Sequence, residues 1–410
     1  MSVATFSRLG TSNAYDLSVA NLQTRQNNLS TLQEQMTSGK KVTTPSDDPT
    51  GAAQAERALN RLARIASDQR ALEAQRNSIS QAESTLGDVT DTLQQIRDLA
   101  SSAGNGGFSI SDRKTVALQI TSLRNRLLDL ANTKDSNGQP LFAALGSALK
   151  PFGGPASTAP DYVFNGLSGT AAGSAYNIPG TLDGESAFML QPARDGGFNV
   201  QPNSGSKLTT DGVTLTNSSQ VTGNSYTLSN IVVSGNTVTY NLDEKDAAGN
   251  VINSTTSPAV PWSATTGFTV TDMAGLSMQV HGTPTATDTI DVQPNTSVFA
   301  TVDKAISSIT NAASSTEASQ AVTQALHNID ISLNRISAVR GQAGDLLNRA
   351  DAITATNDKR NVEQEANRSR AEDVDMIKAT SAFQNQQTGY QAALASYAQI
   401  QKLSLFNFIS

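Results

Sequence analysis

The sequence predicts a mainly α protein with an inserted β-rich domain, in which long coiled-coil-like helices at the two termini form a shared bundle. Three observations carry that expectation. Eleven of the 13 prolines lie between Pro140 and Pro294, the other two are Pro45 and Pro49, and none follows Pro294. Proline in a helix interior costs about 3 kcal/mol, so the proline-free flanks can carry long helices and the middle cannot. Glycine agrees, with 18 of 29 between Gly146 and Gly282. Finally, apolar residues recur at heptad steps in both flanks, whereas the middle shows short runs that alternate β-branched and polar residues.

The bounds exclude several function classes. At 410 residues and 37% hydrophobic content the chain is long enough for two or more domains. A net charge of −7 with no Lys/Arg face argues against nucleic acid, whose phosphates need such a face. Without cysteine there are no disulfides, thiolate metal sites or Cys nucleophiles. The opening MSVATFSRLGTSNAYDLSV has neither a basic segment nor an apolar core, so it does not read as a cleavable secretory signal.

Taken in order, the first helix places Tyr15, Leu22, Leu29 and Met36 at heptad steps, with Val19 and Leu32 beside them and sparse charge (Asp16, Arg25, Glu34). It breaks at GKKVTTPSDDPTG. Gly39 suits a helix C-cap, Pro45 and Pro49 forbid helix across the gap, and Ser46, Asp47 and Asp48 offer N-cap oxygens for a restart near Thr50. A Ca²⁺ loop would need the Asp/Asn ladder and closing glutamate that are absent here. The next helix keeps Ile65, Leu72, Ile79, Leu86, Leu93 and Ala100 in strict heptads and stops at SSAGNGGFS. Gly104, Gly106 and Gly107 follow a helix and precede no GKS or GKT, so they read as a helical-hairpin turn and not as a phosphate loop. A shorter helix, about 111–133, returns with Val116, Ile120, Leu123, Leu127 and Leu130 on one face.

In the middle, TDGVTLT, SYTLSNIVVSG, NTVTYNLDE, GFTVTD, GLSMQV and DTIDVQP read as antiparallel strands joined by turns. Trp262 and His281 are expected to help fill that core. Helix resumes at about Val298, with Val302, Ile306 and Ile309 leading into Val322, Leu326, Ile329, Leu333, Ile336, Val339, Leu346 and Ile353; His327 is expected to be a partly exposed helical residue, with Asp330 one turn on as an alternative ionic partner. NDKRNVEQEANRSR reads as a solvated face. The terminal helix from Ala371 aligns Val362, Met376, Phe383, Tyr390 and Tyr397 at whole-heptad steps, with Ala366, Ala393, Leu394 and Ile400 in the second seam position. From Ala379 to Gln401 it carries no charge, yet it is too rich in Gln, Asn, Ser and Thr to span a membrane. Its apolar stripe needs a partner, and the first helix carries the matching one. The polar residues are dispersed along helix faces, so no catalytic, cofactor or metal constellation is expected, and the chain reads as a structural or interaction protein.

LQEQMTSGKKVTTPSDDPTG near the start and AEDVDMIKATSAFQNQQTGYQAALASYAQIQKLSLFNFIS at the end together resemble the bacterial flagellin superfamily, the SLFNFI ending being most similar to its hook-associated junction members. NTKDSNGQPLFAAL followed by Pro151 and Phe152 resembles the segment that leads into that family's middle domain, with two departures: Pro140 replaces an aromatic or acidic residue, and Ala144 replaces a glycine. The resemblance implies a flagellin-like fold and an adaptor at the hook–filament junction: a homo-oligomeric ring meeting another junction protein on the hook side and flagellin on the filament side. It also implies export by the flagellar apparatus without a cleaved signal, an export chaperone on the C-terminal region, and no membrane insertion. A filament flagellin, and from another class a secreted adhesin with a ligand-binding β domain, stand as alternatives. The expected domain map is an N-terminal assembly helix (1–45), two halves of a helical bundle (46–140 and 298–365), a β-rich outward-facing domain (141–297) and a C-terminal assembly helix (366–410). The assembly interface is assigned to Tyr15, Leu22, Leu29, Met36, Met376, Phe383, Tyr390, Leu394, Tyr397, Leu403, Leu405 and Phe406, and the hinge and cap to Gly39, Pro45, Ser46, Asp47, Asp48 and Pro49. The terminal segments before about Lys40 and after about Arg370 are expected to gain order on assembly.

Overall fold

The computed structural model describes residues 11–157 and 160–409, with side chains described for 15–157, 160–399 and 401. Two compact units divide it: one holds the chain up to Gln69 and from Thr354 onward, the other Arg70–Ile353. The helices are α1 (Thr11–Ser38), α2 (Pro49–Ala103), α3 (Ile110–Ala131), the short α4 (Gly184–Phe188) and α5 (Pro192–Asp195), α6 (Val298–Asn311), α7 (Ser315–Glu372) and α8 (Met376–Ile409).

Within Arg70–Ile353, the heptad stripe of α2 is the spine of a helical core. Leu72, Ile79, Leu86, Leu93 and Ala100 are buried, together with Val116, Ile120 and Leu127 of α3, Val302 and Ile309 of α6, and Ile329, Ile336 and Val339 of α7. The hairpin turn after α2 is as expected, and α3 opens with a reciprocal capping box between Ser109 and Asp112. The last flank differs from its sequence reading. Instead of one continuous helix, the chain leaves α6 at Ala312 and restarts at Ser315. Ser314 accepts from Glu317 N and the Glu317 carboxylate accepts from Ala313 N at 2.8 Å, a second Ser-x-x-Glu box that interrupts the apolar periodicity without disturbing it.

The middle contributes twelve strands: β1 (Phe152–Gly153), β2 (Val163–Phe164), β3 (Phe198–Pro202), β4 (Thr209–Thr210), β5 (Thr214–Leu215), β6 (Ser225–Ser234), β7 (Thr237–Lys245), β8 (Val251–Thr256), β9 (Val260–Pro261), β10 (Phe268–Val270), β11 (Leu276–His281) and β12 (Ile290–Pro294). One antiparallel sheet has the order β3-β12-β6-β7-β8, with β9 also on β7; another has the order β10-β11-β4, with β5 also on β11. Their inner faces make a second core of Phe198, Tyr226, Leu228, Tyr240, Phe268, Met278 and Val292. Each alternating run read from the sequence falls on a strand. At the β10 turn, a Cβ on Gly267 would lie 1.8 Å from Val280 O, so only glycine fits.

The predicted β-rich span serves two cores. Phe142, Phe152, Tyr162 and Phe188 pack with Phe299 of α6 in the helical core, with Phe152–Phe188 centroids 5.1 Å apart and Phe188 stacked on Phe299 at 5.7 Å. Two expectations for the β core are also corrected. His281 does not fill the β core, because its ring, on the last residue of β11, is part-exposed and lies 3.3 Å from Asp211 Oδ2. Trp262 only borders that core, half-buried, with its indole N–H donating to Gly282 O. His327 bonds Val213 O at 3.2 Å, and Asp330 pairs instead with Arg97 at 2.8 Å.

Ala144, the departure from the family's glycine, adopts φ +54°. That region costs an L-residue with a Cβ about 1–2 kcal/mol, more than the about 0.5–1 kcal/mol that glycine costs through chain entropy. Ala144→Gly is therefore expected to raise unfolding free energy by about 0.5–1 kcal/mol, read by urea denaturation. In the same assay, Leu86→Ala in the helical core is expected to lower it by about 2–5 kcal/mol. Leu118→Ala, on an exposed face, is expected to change it by less than about 0.5 kcal/mol.

Candidate assembly interface

The terminal helices α1 and α8 pack antiparallel in one unit. Tyr15, near the start of α1, meets Tyr397 near the end of α8, with ring centroids 5.5 Å apart and the Tyr397 hydroxyl donating to that of Tyr15 at 2.9 Å. Midway, Arg25 Nη1 donates to Gln386 Oε1 at 3.3 Å. Gly389 makes this crossing available, since a Cβ there would lie 2.3 Å from Arg25 Nη1.

The stripes face each other but stay half-covered. Val19, Leu22, Leu29, Leu32 and Met36 of α1 and Phe383, Tyr390, Ala393 and Tyr397 of α8 are half-buried; among the described side chains of the two helices only Ala379 is fully buried. Tyr15 is 40% exposed, Leu394 43%, Met376 47%, Leu17 55% and Ile377 84%, so large apolar groups also stand on the outer faces. Leu403, Leu405 and Phe406, assigned to the interface from the sequence, have side chains outside the described residues, as does Ile400.

One part of the predicted stripe is corrected. Val362 and Ala366 belong to α7, not to the terminal helix, and both are exposed, Val362 at 70%. The chain leaves helix after Glu372 and restarts at Met376, so the whole-heptad step from Val362 to Met376 does not lie along one helix. Asp375 caps the restart, its carboxylate accepting from Lys378 N at 3.2 Å and its carbonyl from Ala379 N at 2.8 Å. Asp375, an N-cap residue type immediately before Met376, was the available signal for this break.

The second break lies against the first. Lys41 N donates to Glu372 O at 2.7 Å, Val374 N donates to Gly39 O at 2.9 Å, and Lys40 and Asp373 form an isolated antiparallel bridge. Side chains reinforce it: Lys40 Nζ bonds the Glu372 carboxylate and Lys41 Nζ donates to Arg370 O at 2.8 Å. Gly39 carries φ +73°, the left-handed C-cap conformation. The acidic residues of the loop are taken up by backbone donors. Asp47 Oδ2 accepts from Thr43 N at 3.1 Å and Thr44 N at 2.8 Å, while Asp48 Oδ1 caps α2 by accepting from Thr50 N and Gly51 N at 3.1 and 2.9 Å. Pro49 opens α2, where a missing N–H costs nothing. Ser46 bonds the Thr44 hydroxyl, and Pro45 lies exposed in the turn between them. Among the described residues no group of three or more His, Asp or Glu is placed to hold a metal ion, and no helix is long and apolar enough to cross a membrane.

Comparison with known proteins places the terminal regions in one family. Residues 11–146 match the bacterial flagellin N-terminal helical region and residues 326–409 the bacterial flagellin C-terminal helical region. The chain is 26% identical over 381 residues to flagellar hook-associated protein 3 of Escherichia coli, covering 91% of this chain and 90% of that one. It is 34% identical over 153 residues to the protein of the same name from Salmonella typhimurium, a stretch covering 35% of this chain and 46% of that one. The crystal structure of flagellar hook associated protein-3 from Legionella pneumophila superposes with a TM-score of 0.62 at 25% identity, covering 76% of this chain and 97% of that one.

Asp47 makes the loop acid-sensitive. Hydrogen bonds from the Thr44 backbone and the Thr43 side chain hold its carboxyl below the usual carboxylate range. A depressed folded-state value means its contribution is present above the unfolded value of about 3.9 and is lost as pH falls through the lower folded value. Amide exchange at Thr43 and Thr44 is expected to stay slow at pH 5 and to quicken on acidification below that folded value. Asp47→Asn is expected to give faster exchange at pH 5 that no longer responds to acid. Exchange that is slow and pH-independent in both proteins, after correction for intrinsic rates, would refute this role for Asp47.

Proposed function

The chain belongs to the bacterial flagellin family, and from that premise we propose that it is a non-enzymatic structural subunit of the flagellum, the adaptor that connects hook to filament at the hook–filament junction. The observation that carries the reading is the α1/α8 pair, a flagellin-type terminal pair whose apolar stripe is only half-covered within one copy. The match over 91% of the chain to a hook-associated protein supports the junction over the filament.

The mechanism is assembly-coupled burial. Ordering a residue costs about 1–2 kcal/mol in backbone entropy, while full burial of a Leu-sized side chain returns roughly 1.5–3 kcal/mol. A half-covered stripe recovers only part of that return, and neighbouring subunits supply the rest by covering Leu17, Ile377, Leu394 and the outer halves of Phe383, Tyr390 and Tyr397. Low charge along both helices keeps that burial favourable, since an unpaired buried charge is costly. In this reading copies form a ring that accepts another junction protein on the hook side and flagellin on the filament side. The terminal segments before about Lys40 and after about Arg370 gain order there, 46–140 with 298–365 form a rigid layer, and 141–297 projects outward. The subunit leaves the cell through the flagellar export apparatus without a cleaved signal, its C-terminal region held by an export chaperone until release.

Two measurements test this. Quantitative mass spectrometry of sheared flagella is expected to find the chain at a small fraction of flagellin, and a deletion strain is expected to keep hooks while shedding flagellin into the medium. An abundance equal to flagellin would make it a filament subunit; absence from flagella would move the reading to a secreted adhesin. Tyr390→Asp and Leu394→Asp are each expected to block incorporation and motility while leaving the melting of the helical core unchanged. Normal motility in either would contradict the interface.

A further inference from the structure

Three ion pairs join α2 and α7 along one stretch of the two helices. Within Arg70–Ile353 the two helices exchange Arg76–Asp351 at 3.1 Å, Glu83–Arg340 at 2.6 Å and Arg97–Asp330 at 2.8 Å, so each of these arginines has a carboxylate opposite. In the other unit the same two helices enclose a groove of about 440 Å³, floored by the buried Ala58 and Ala371 and lined by Arg57, Arg61 and Arg370. Here the guanidinium groups reach only neutral acceptors. Arg57 donates to Ala53 O at 3.0 Å, Arg61 to Gln364 Oε1 at 3.4 Å, and Arg370 to Ala366 O and Asn367 Oδ1 at 3.3 and 2.5 Å. Among the described residues none of the three has a carboxylate within 4 Å, although acids outnumber bases 36 to 29 in the chain. Each guanidinium has five donors, so most remain available.

The complementary surface is on the same helix. Asp88, Asp91 and Asp98 of α2 are exposed, and among the described residues none lies within 4 Å of a Lys or Arg nitrogen. α2 therefore carries two arginines without a carboxylate partner near its start, Arg57 and Arg61, and three aspartates without a Lys or Arg partner further along. Two identical copies displaced along their helix axes satisfy both at once, a head-to-tail contact that uses different patches of the two copies and either closes into a ring or continues as a tube. We propose that the Arg57/Arg61/Arg370 groove is a docking surface for a second copy of this chain and receives the Asp88/Asp91/Asp98 strip. The contact rests on the junction reading above, adding a charge-steered register to the apolar burial of the terminal helices.

The test uses the full-length chain in flagella. A photo-crosslinking residue, p-azidophenylalanine, replaces Gln54, which lines the groove and is exposed. Irradiated flagella are expected to yield an adduct between two copies of this chain, mapped by mass spectrometry to the segment around Asp88–Asp98. Arg57→Glu with Arg61→Glu is expected to lower incorporation by about tenfold or more, and adding Asp88→Arg with Asp91→Arg to restore most of it. An adduct on flagellin, on another junction protein or elsewhere on this chain overturns the proposal, as does no adduct from an incorporated chain. Wild-type incorporation of the doubly reversed groove, or failure of the swap to restore a variant whose helical melting is unchanged, overturns it too. Absence of the unmodified chain from flagella would sink the junction reading itself, an outcome separable from all of these.

Discussion

Two helices can hide only the strip along which they touch, and the terminal pair is built on that limit. A pair of this length made to be stable alone would concentrate leucine and isoleucine at both seam positions and charged pairs at the flanks. This one uses glutamine, asparagine, serine and threonine throughout, leaves its seam residues half-buried and puts Leu17, Ile377 and Leu394 on its outer faces. Those choices weaken the isolated pair and favour a packed array. They also account for the scarcity of charge, because a lysine or glutamate that is harmless on a two-helix surface becomes a desolvated ion once other helices close around it.

The unit of Arg70–Ile353 follows the opposite logic. The heptad stripe of α2 from Leu72 to Ala100 is almost wholly buried, the aromatic cluster around Phe188 and Phe299 is closed on several sides, and cross-helix ion pairs trim the rim. Burial of this extent within one copy makes its stability independent of neighbours. The β strands from β3 to β12 keep their own core, and the edge strand β8 is exposed along its whole length. Four of its six residues, Asn253 to Thr256, are polar, and the exposed apolar side chains Val251 and Ile252 are confined to its start.

Much of this was legible in the sequence where a periodic pattern meets a closed core. The α2 heptad, the hairpin glycines, the capped restart at Asp48 and six alternating runs each state a local preference that packing reinforces. What escaped has a physical reason in each case. β8, facing solvent on both sides, has no reason to alternate. The breaks at Ala312 and Asp373 preserve the apolar spacing on either side, so periodicity runs through them, and only the caps Ser314 and Asp375 mark the discontinuity. His281 and His327 find their partners, Asp211 and Val213, in the connection between β4 and β5, which no pattern local to either histidine announces. At the interface, the facing residues Tyr15, Leu22, Phe383, Tyr390 and Tyr397 were visible from spacing, but the degree of their exposure was not, because exposure depends on how many helices are present.

The clasp between the two breaks solves a problem that the terminal pair creates for itself. A helix that slips by one residue moves 1.5 Å and turns its stripe by about 100°, and a seam of small and amide side chains offers little resistance to such slippage. Among the described residues, Arg25–Gln386 and Tyr15–Tyr397 are directional contacts between α1 and α8, and both involve exposed or half-exposed groups. The loop supplies what they lack. Gly39 and Val374, Lys41 and Glu372, and Lys40 and Asp373 are joined through the backbone, so the last residue of α1 and the first of α8 start from fixed positions and a fixed register. Asp47 and Asp48 hold the same loop from the α2 side by consuming four backbone donors. Register is thus set at one end by a compact polar joint rather than along the seam by specific packing. That arrangement lets the seam itself stay generic enough to be covered by other copies, and it places the strictest residue requirements in the short Gly39–Pro49 loop and not in the long helices it serves.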